Sequence, residues 1–343
     1  MASAYARGRL GTKRSAPVRL ARVAPRRFSV SPSACHRLYV VALVFVALIV
    51  VTGGAVRLTD SGLGCSNWPE CTAGHLTPAL HFHSWVEFGN RLVTVAITVL
   101  VAVAFVASIL RSPRRRDLVW LTGGLVAGIL VQAVIGGIVV YTKLNPYLVM
   151  LHFYATMLLL VDAVVLVHRS TRDYSPGSAR LLVPRPLIRL FYGLLALLAL
   201  VIAAGTATTG AGPHAGESSG QQVAKRLPVT LRDMAELHST LAILLIGTTI
   251  GLVVALQLGH MPERVRRSGR ILLVVMVAQA AVGYTQYFTH LPALLVEVHL
   301  AGVTVLVIGT VQTFLTCTYH PPEAVRAPVS RRAPAPGVAV GAT

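Results

Sequence analysis

The chain has 343 residues, 54% of them hydrophobic and only 13% charged, with a mean hydropathy of +0.67 and a formal net charge of +19. A soluble domain carries roughly a quarter charged residues, so this composition excludes an ordinary water-soluble core. The arginines lie between apolar runs rather than on a soluble basic face, so nucleic acid is not the expected partner; lipid is.

Residues 1–37 are rich in Arg and Ser and contain no acid. They read as a disordered basic cytoplasmic tail, with a mitochondrial transit peptide as the alternative. A membrane helix needs about 20 mostly apolar residues. Eight runs satisfy this: residues 38–56, 92–110, 118–141, 148–167, 190–208, 235–258, 271–288 and 294–316. The breaks between them carry Pro, Gly and charge, as in Arg111-Ser112-Pro113-Arg114-Arg115-Arg116. With the N-terminus inside, the outer side holds only Arg57, Arg91, Lys143, Lys225, Arg226 and Arg232 of the 31 Lys+Arg. Basic residues accumulate on the cytoplasmic side of membrane proteins, so both termini are expected to be cytoplasmic, at a cell (plasma) membrane. Residues 326–343 are rich in Pro and Ala and read as disordered.

This topology puts Cys65 and Cys71 in the first outer loop and Cys35 and Cys317 at the inner face. The outer pair lies in an oxidising compartment and is close in sequence, which suits a disulfide; two free thiols or half a metal site also fit.

The third and seventh spans resemble each other. Gln132-Ala133-Val134-Ile135-Gly136-Gly137 matches Gln279-Ala280-Ala281-Val282-Gly283-Tyr284, and His152 and His299 each follow their Gln by the same interval. Gly53-Gly54 and Ala204-Gly205 close the first and fifth spans, and Asn90 in the second span stands where His238 stands in the sixth. The expected fold is therefore all-α and integral to the membrane: eight transmembrane helices as two tandem parallel four-helix bundles. The halves are residues 38–170 and 190–317, joined by a cytoplasmic linker, 171–189, and followed by a disordered cytoplasmic tail, 318–343.

Most of the twelve histidines have ordinary places. His75, His81, His83, His214 and His290 lie in outer loops, and His36, His168, His260 and His320 at inner ends. His152, His238 and His299 differ, because each sits inside an apolar run, where a polar side chain is costly and faces the bundle interior. With Asn90 they share one depth near the outer surface. Structural zinc wants four N or S ligands, and no cysteine lies at that depth. Histidines on facing helices of a bundle suit a heme iron. Gly123-Gly124, Gly128 and Gly136-Gly137 would let a macrocycle approach the backbone; close helix packing explains them equally well.

The first-span exit, Gly53-Gly54-Ala55-Val56-Arg57-Leu58-Thr59-Asp60-Ser61-Gly62-Leu63-Gly64-Cys65, with Trp68-Pro69 and Cys71, resembles the outer-loop signature of the heme A synthase family. Glu87-Phe88-Gly89-Asn90-Arg91 sits where that family has Glu, two residues, His and Arg. Leu151-His152-Phe153, Glu236-Leu237-His238 and Val298-His299-Leu300 are similar to its other His sites. The resemblance covers about residues 38–317. It implies oxidation of the C8 methyl of heme O to a formyl group by two successive hydroxylations, for terminal oxidase assembly. It also implies a substrate heme in the N-terminal half facing His152, and a heme b cofactor in the C-terminal half ligated by His238 and His299. Glu87 matches the family's essential carboxylate, and Cys65–Cys71 its loop disulfide. The heme O synthase that supplies the substrate is an expected partner.

Asn90 departs from this pattern. An amide oxygen is a poor iron ligand, so the N-terminal heme is expected to be five-coordinate through His152, with Asn90 marking the open position. A substitute ligand from His81 or His83 is the rival; His83 is two helical turns away, roughly 10 Å. Glu87 lies nearly one turn before Asn90 and shares its helix face. It would stabilise charge on the ring methyl or move a proton, unless it simply pairs with Arg91 or Arg57. Those two arginines suit heme propionates or topology anchoring. Glu236 and Glu297 lie two residues before a His and should face away from the same heme. Asp162, deeper in the fourth span, is a proton-handling or structural group. No flavin or dinucleotide fingerprint is present, so electrons come from a partner protein or a quinol. Alternative readings are a diheme cytochrome b oxidising quinol, or a non-enzymatic transporter or scaffold.

Overall fold

The structure, a computed structural model, describes residues 29–78, 80–171, 180–216 and 224–319. Its helices are α1 (Pro32–Leu58), α2 (Phe82–Leu110), α3 (Arg116–Tyr141), α4 (Pro146–Arg169), α5 (Arg185–Ala211), α6 (Leu231–Leu258), α7 (Glu263–Phe288) and α8 (Ala293–Thr316). All eight are long and apolar enough to cross a membrane, as expected. Below, the outer end is the end of the bundle that carries the α1–α2 loop.

Several helices begin earlier than hydropathy predicts. α3 starts at Arg116, α5 at Arg185 and α7 at Glu263. These first turns are charged but remain helical, because long basic side chains keep their heads in water while their stems lie along the helix. In α7, Glu263 accepts from Arg266 at 2.7 Å and from Arg270 at 2.6 Å. Local chemistry sets the starts. Ser31, Asn145 and Thr230 each accept a backbone N–H from the first turn of α1, α4 and α6, the role of short polar side chains at helix N-termini.

The N-terminal half closes as a ring in which α1 packs on α2, α2 on α3, α3 on α4, and α4 on α1. The C-terminal half packs α5 on α6, α6 on α7 and α7 on α8, but α8 then leans mainly on α4 and α1 and meets α5 through Phe314 against Phe191 and Tyr192. α1 shows the burial logic. Cys35, Tyr39, Ala42, Val46, Val50 and Gly54 form one buried stripe at helical spacing, and Val41, Val44 and Leu48 on other faces are exposed and equally apolar. A helix that is apolar all round belongs in lipid.

The repeat is visible in the backbone. The α3–α4 turn puts Lys143 and Leu144 at φ 53° and 59°, and the α7–α8 turn puts His290 and Leu291 at 63° and 60°. At the inner end a two-residue antiparallel ladder pairs Arg180 with Tyr319 and Leu181 with Thr318. The first residues of the expected tail, 318–343, and part of the expected linker, 171–189, therefore tie to each other. The rest of that tail, linker residues 172–179 and tail residues 1–28 lie outside the described residues.

Candidate functional site

The four positions singled out by depth all fall within the first nine residues of their helices: Asn90 in α2, His152 in α4, His238 in α6 and His299 in α8. In the C-terminal half, α6 and α8 stand diagonally opposite, with at most marginal backbone contact. Their imidazoles reach toward each other across the gap, with ring centroids 6.2 Å apart and planes at 75°. Two metal–nitrogen bonds of about 2.0 Å and two ring radii of about 1 Å place the centroids of a trans imidazole pair roughly 6 Å apart. The spacing fits an iron between the rings.

Each ring is placed by its neighbours. His238 donates from Nδ1 to the Val201 carbonyl at 3.0 Å, which fixes the ring and leaves Nε2 for a metal. Gly205 lies behind it, and a Cβ there would come within 2.9 Å of the ring. Behind His299 is Gly283, where a Cβ would come within 3.1 Å. Gln279 Nε2 donates to the His299 carbonyl at 2.8 Å. The His299 Nδ1 is buried without a hydrogen-bond partner.

The N-terminal half repeats half of this arrangement. Gln132 Nε2 donates to the His152 carbonyl at 3.0 Å and to Thr156 Oγ1 at 2.6 Å. Gly136 lies behind the ring, 3.6 Å from its Cε1 to a built Cβ, and His152 Nδ1 is again buried and unpartnered. So a Gln that holds the His carbonyl, and a Gly one turn later that makes room for the ring, occur in both halves. At the position that repeats His238 the symmetry breaks. Asn90 Oδ1 accepts from Thr52 Oγ1 at 2.8 Å. Gly54, the counterpart of Gly205, faces Glu297 instead of a histidine, with 2.6 Å between a built Cβ and the carboxylate.

The outer loop is clamped to α2. Cys65 and Cys71 form a disulfide with Cα atoms 4.4 Å apart. Buried Glu87 accepts from the Cys65 N–H at 2.8 Å and from Arg91 at 2.5 Å. Arg91 also donates to the carbonyls of Asn67 at 3.0 Å and Glu70 at 2.9 Å. Tyr141 donates to the Trp68 carbonyl at 2.6 Å, and the Trp68 ring covers Gly137. Arg57 donates to the carbonyls of His214 at 2.6 Å and Thr209 at 3.0 Å, tying α1 to the end of α5. Both arginines thus spend much of their donor capacity on backbone carbonyls.

The remaining candidates separate clearly. His83 shares its Nδ1 with the Thr59 carbonyl at 2.9 Å and Ser61 Oγ at 3.1 Å, and His81 is the exposed N-cap of α2. Glu236 pairs with Arg232 at 2.8 Å, and Glu297 turns to α1, so neither faces His238 or His299. Asp162 abuts Gly124, and Gly128 faces Leu159. Of the glycines noted in α3, only Gly136 touches a candidate ligand; the others serve helix or loop packing. Thr52 and the Val201 carbonyl were not singled out by the sequence, and Gly205 was noted there only as part of the repeat. Among the described residues no three His, Cys, Asp or Glu side chains converge as a metal cage, so the donors come as paired or single imidazoles.

The family model COX15-CtaA, described as a cytochrome oxidase assembly protein, matches residues 36–311. The chain belongs to this family. The match takes in Glu87, Asn90, His152, His238 and His299. The chain is 33% identical over 147 residues to a heme A synthase of Geobacillus kaustophilus (strain HTA426), covering 40% of this chain and 45% of that protein. Heme A synthases of Geobacillus thermodenitrificans (36% over 113 residues, 32% and 34%) and Bacillus pumilus strain SAFR-032 (33% over 178 residues, 49% and 57%) are similar. The aligned stretches span between about a third and just over half of these relatives' own length.

Proposed function

We propose that this multi-pass membrane protein is a heme A synthase, converting the C8 methyl of heme O to a formyl group for terminal oxidase assembly. The observation that carries this reading is the His238–His299 pair at 6.2 Å, repeated in part around His152, in a chain of this family. Residues 190–317 would hold heme b between His238 and His299. Residues 38–170 would present heme O to His152, five-coordinate because Asn90 replaces the second imidazole. Both sites would lie toward the outer face, with both termini cytoplasmic.

Heme b, when bound, supplies a one-electron relay. Each of the two hydroxylations takes one oxygen atom from dioxygen, with two electrons and two protons, and releases the other oxygen as water; the resulting geminal diol loses water to give the formyl. The electrons come from a partner protein or a quinol, and a heme O synthase delivers the substrate. The chain's own residues position and screen. Gln132 and Gly136 set His152, the Cys65–Cys71 loop held by Arg91 covers the outer end, and Glu87 is the one buried carboxylate in that clamp. It would hold or move a proton there, or stabilise charge at the reacting methyl. Arg57 and Arg91 would meet the propionates with the donors their carbonyl contacts leave free.

The test is expression with heme O, followed by extraction and chromatography of the hemes. Heme A should accumulate with the native chain. Glu87→Gln should lower its yield by about 10²-fold or more with total heme unchanged. Full conversion by that variant would remove Glu87 from the chemistry, and no heme A from the native chain would remove the activity.

A further inference from the structure

We infer that Asn90 is a hydrogen-bond donor to whatever small ligand occupies the open side of the N-terminal heme, and that Thr52 is the positioning residue that turns it into one. This rests on the proposal that His152 holds a heme in that half.

Asn90 stands at the repeat position of His238, which presents its ring to the metal position in the other half. An Asn side chain has two different ends: an oxygen that accepts and a nitrogen that donates. The oxygen is the end able to coordinate iron, and it accepts from Thr52 Oγ1 at 2.8 Å, which turns that end toward α1. The Thr52 hydroxyl has a single proton. Its other acceptor, the Ile49 carbonyl, is farther away at 3.4 Å, so the proton is committed to Asn90. The amide N–H groups have no partner among the described residues and are what the side chain has left to present. His83, the nearest alternative imidazole in the chain, is drawn to the Thr59 carbonyl and Ser61 instead. The departure from the family pattern therefore replaces a metal ligand with an oriented, neutral donor. A neutral amide is a poor ligand for the sixth position, but its N–H groups polarise a diatomic bound there.

The experiment uses the full heme-loaded chain, reduced and exposed to carbon monoxide, with the C–O stretch read by infrared spectroscopy. A donor to the bound gas lowers this stretch. The native protein should show one carbon monoxide band, from the N-terminal heme. Asn90→Leu should move it to higher wavenumber with heme content unchanged. Thr52→Val should broaden or split it, and Thr52→Ser should restore the native band. Asn90→His should abolish carbon monoxide binding and add a second low-spin heme signal. A band that stays in place in Asn90→Leu, or a native N-terminal heme already low-spin and closed to carbon monoxide, overturns the inference. His152→Ala separates the two levels. If heme content does not fall, the heme reading of this half is wrong. If it falls by one while the Asn90→Leu band has not moved, only the donor role is wrong.

Discussion

The two halves of this molecule are the same device built twice and finished differently. Both place a histidine in the first two turns of the fourth helix, hold its carbonyl with a glutamine, and leave a glycine behind its ring. In the C-terminal half the opposing helix supplies a second imidazole fixed by the Val201 carbonyl. In the N-terminal half it supplies an amide whose oxygen accepts from Thr52. A half with two opposed imidazoles would saturate an iron and suit electron relay. A half with one would leave a face for substrate chemistry. The covering loop follows the same division, since the disulfide and the Glu87–Arg91 clamp lie at the end of the N-terminal half.

The comparison breaks most completely if a ligand is removed. His238→Ala or His299→Ala should abolish the low-spin signal of the C-terminal half and lower bound heme from two per chain to one, read by optical and paramagnetic resonance spectra; retention of both hemes would deny the pair its role. Opening the loop should be smaller and one-sided. Cys65→Ser with Cys71→Ser should cost about 2 kcal/mol of stability for so short a closed segment. It should perturb the N-terminal heme spectrum and leave the C-terminal one unchanged; equal disturbance of both would contradict the division. Finest of all is a graded series behind the rings. Gly205→Ala meets His238 at 2.9 Å, Gly283→Ala meets His299 at 3.1 Å, and Gly136→Ala meets His152 at 3.6 Å, an ordinary contact. Shifts in heme midpoint potential should fall in that order, with Gly136→Ala near native. A different order would mean that the glycines do not set ring placement.

The eight spans were legible because lipid demands long apolar helices whatever their neighbours. The Gln–His relation was legible because a tight turn folds α4 back along α3, so a fixed sequence interval becomes a fixed contact. His152, His238 and His299 stood out because imidazole is expensive inside an apolar run. What the sequence could not show depends on helices that are distant in the chain. Thr52 meets Asn90 only because α1 packs on α2, and Glu297 meets Gly54 only because α8 leans out of its own half. Arg57 and Arg91 read as propionate partners or topology anchors in sequence, yet backbone carbonyls take up much of their hydrogen bonding. The charged first turns of α3, α5 and α7 escaped a hydropathy reading because helix and membrane do not share boundaries.

One packing detail has a reach beyond stability. Because α8 rests on α4, the helices that carry His299 and His152 are immediate neighbours, with axes expected about 8–10 Å apart. Two metal centres hung from such a pair would exchange charge by tunnelling through the protein itself. With both centres bound, no diffusing carrier would need to shuttle between the duplicated units, and an external reductant would have to find only one of them.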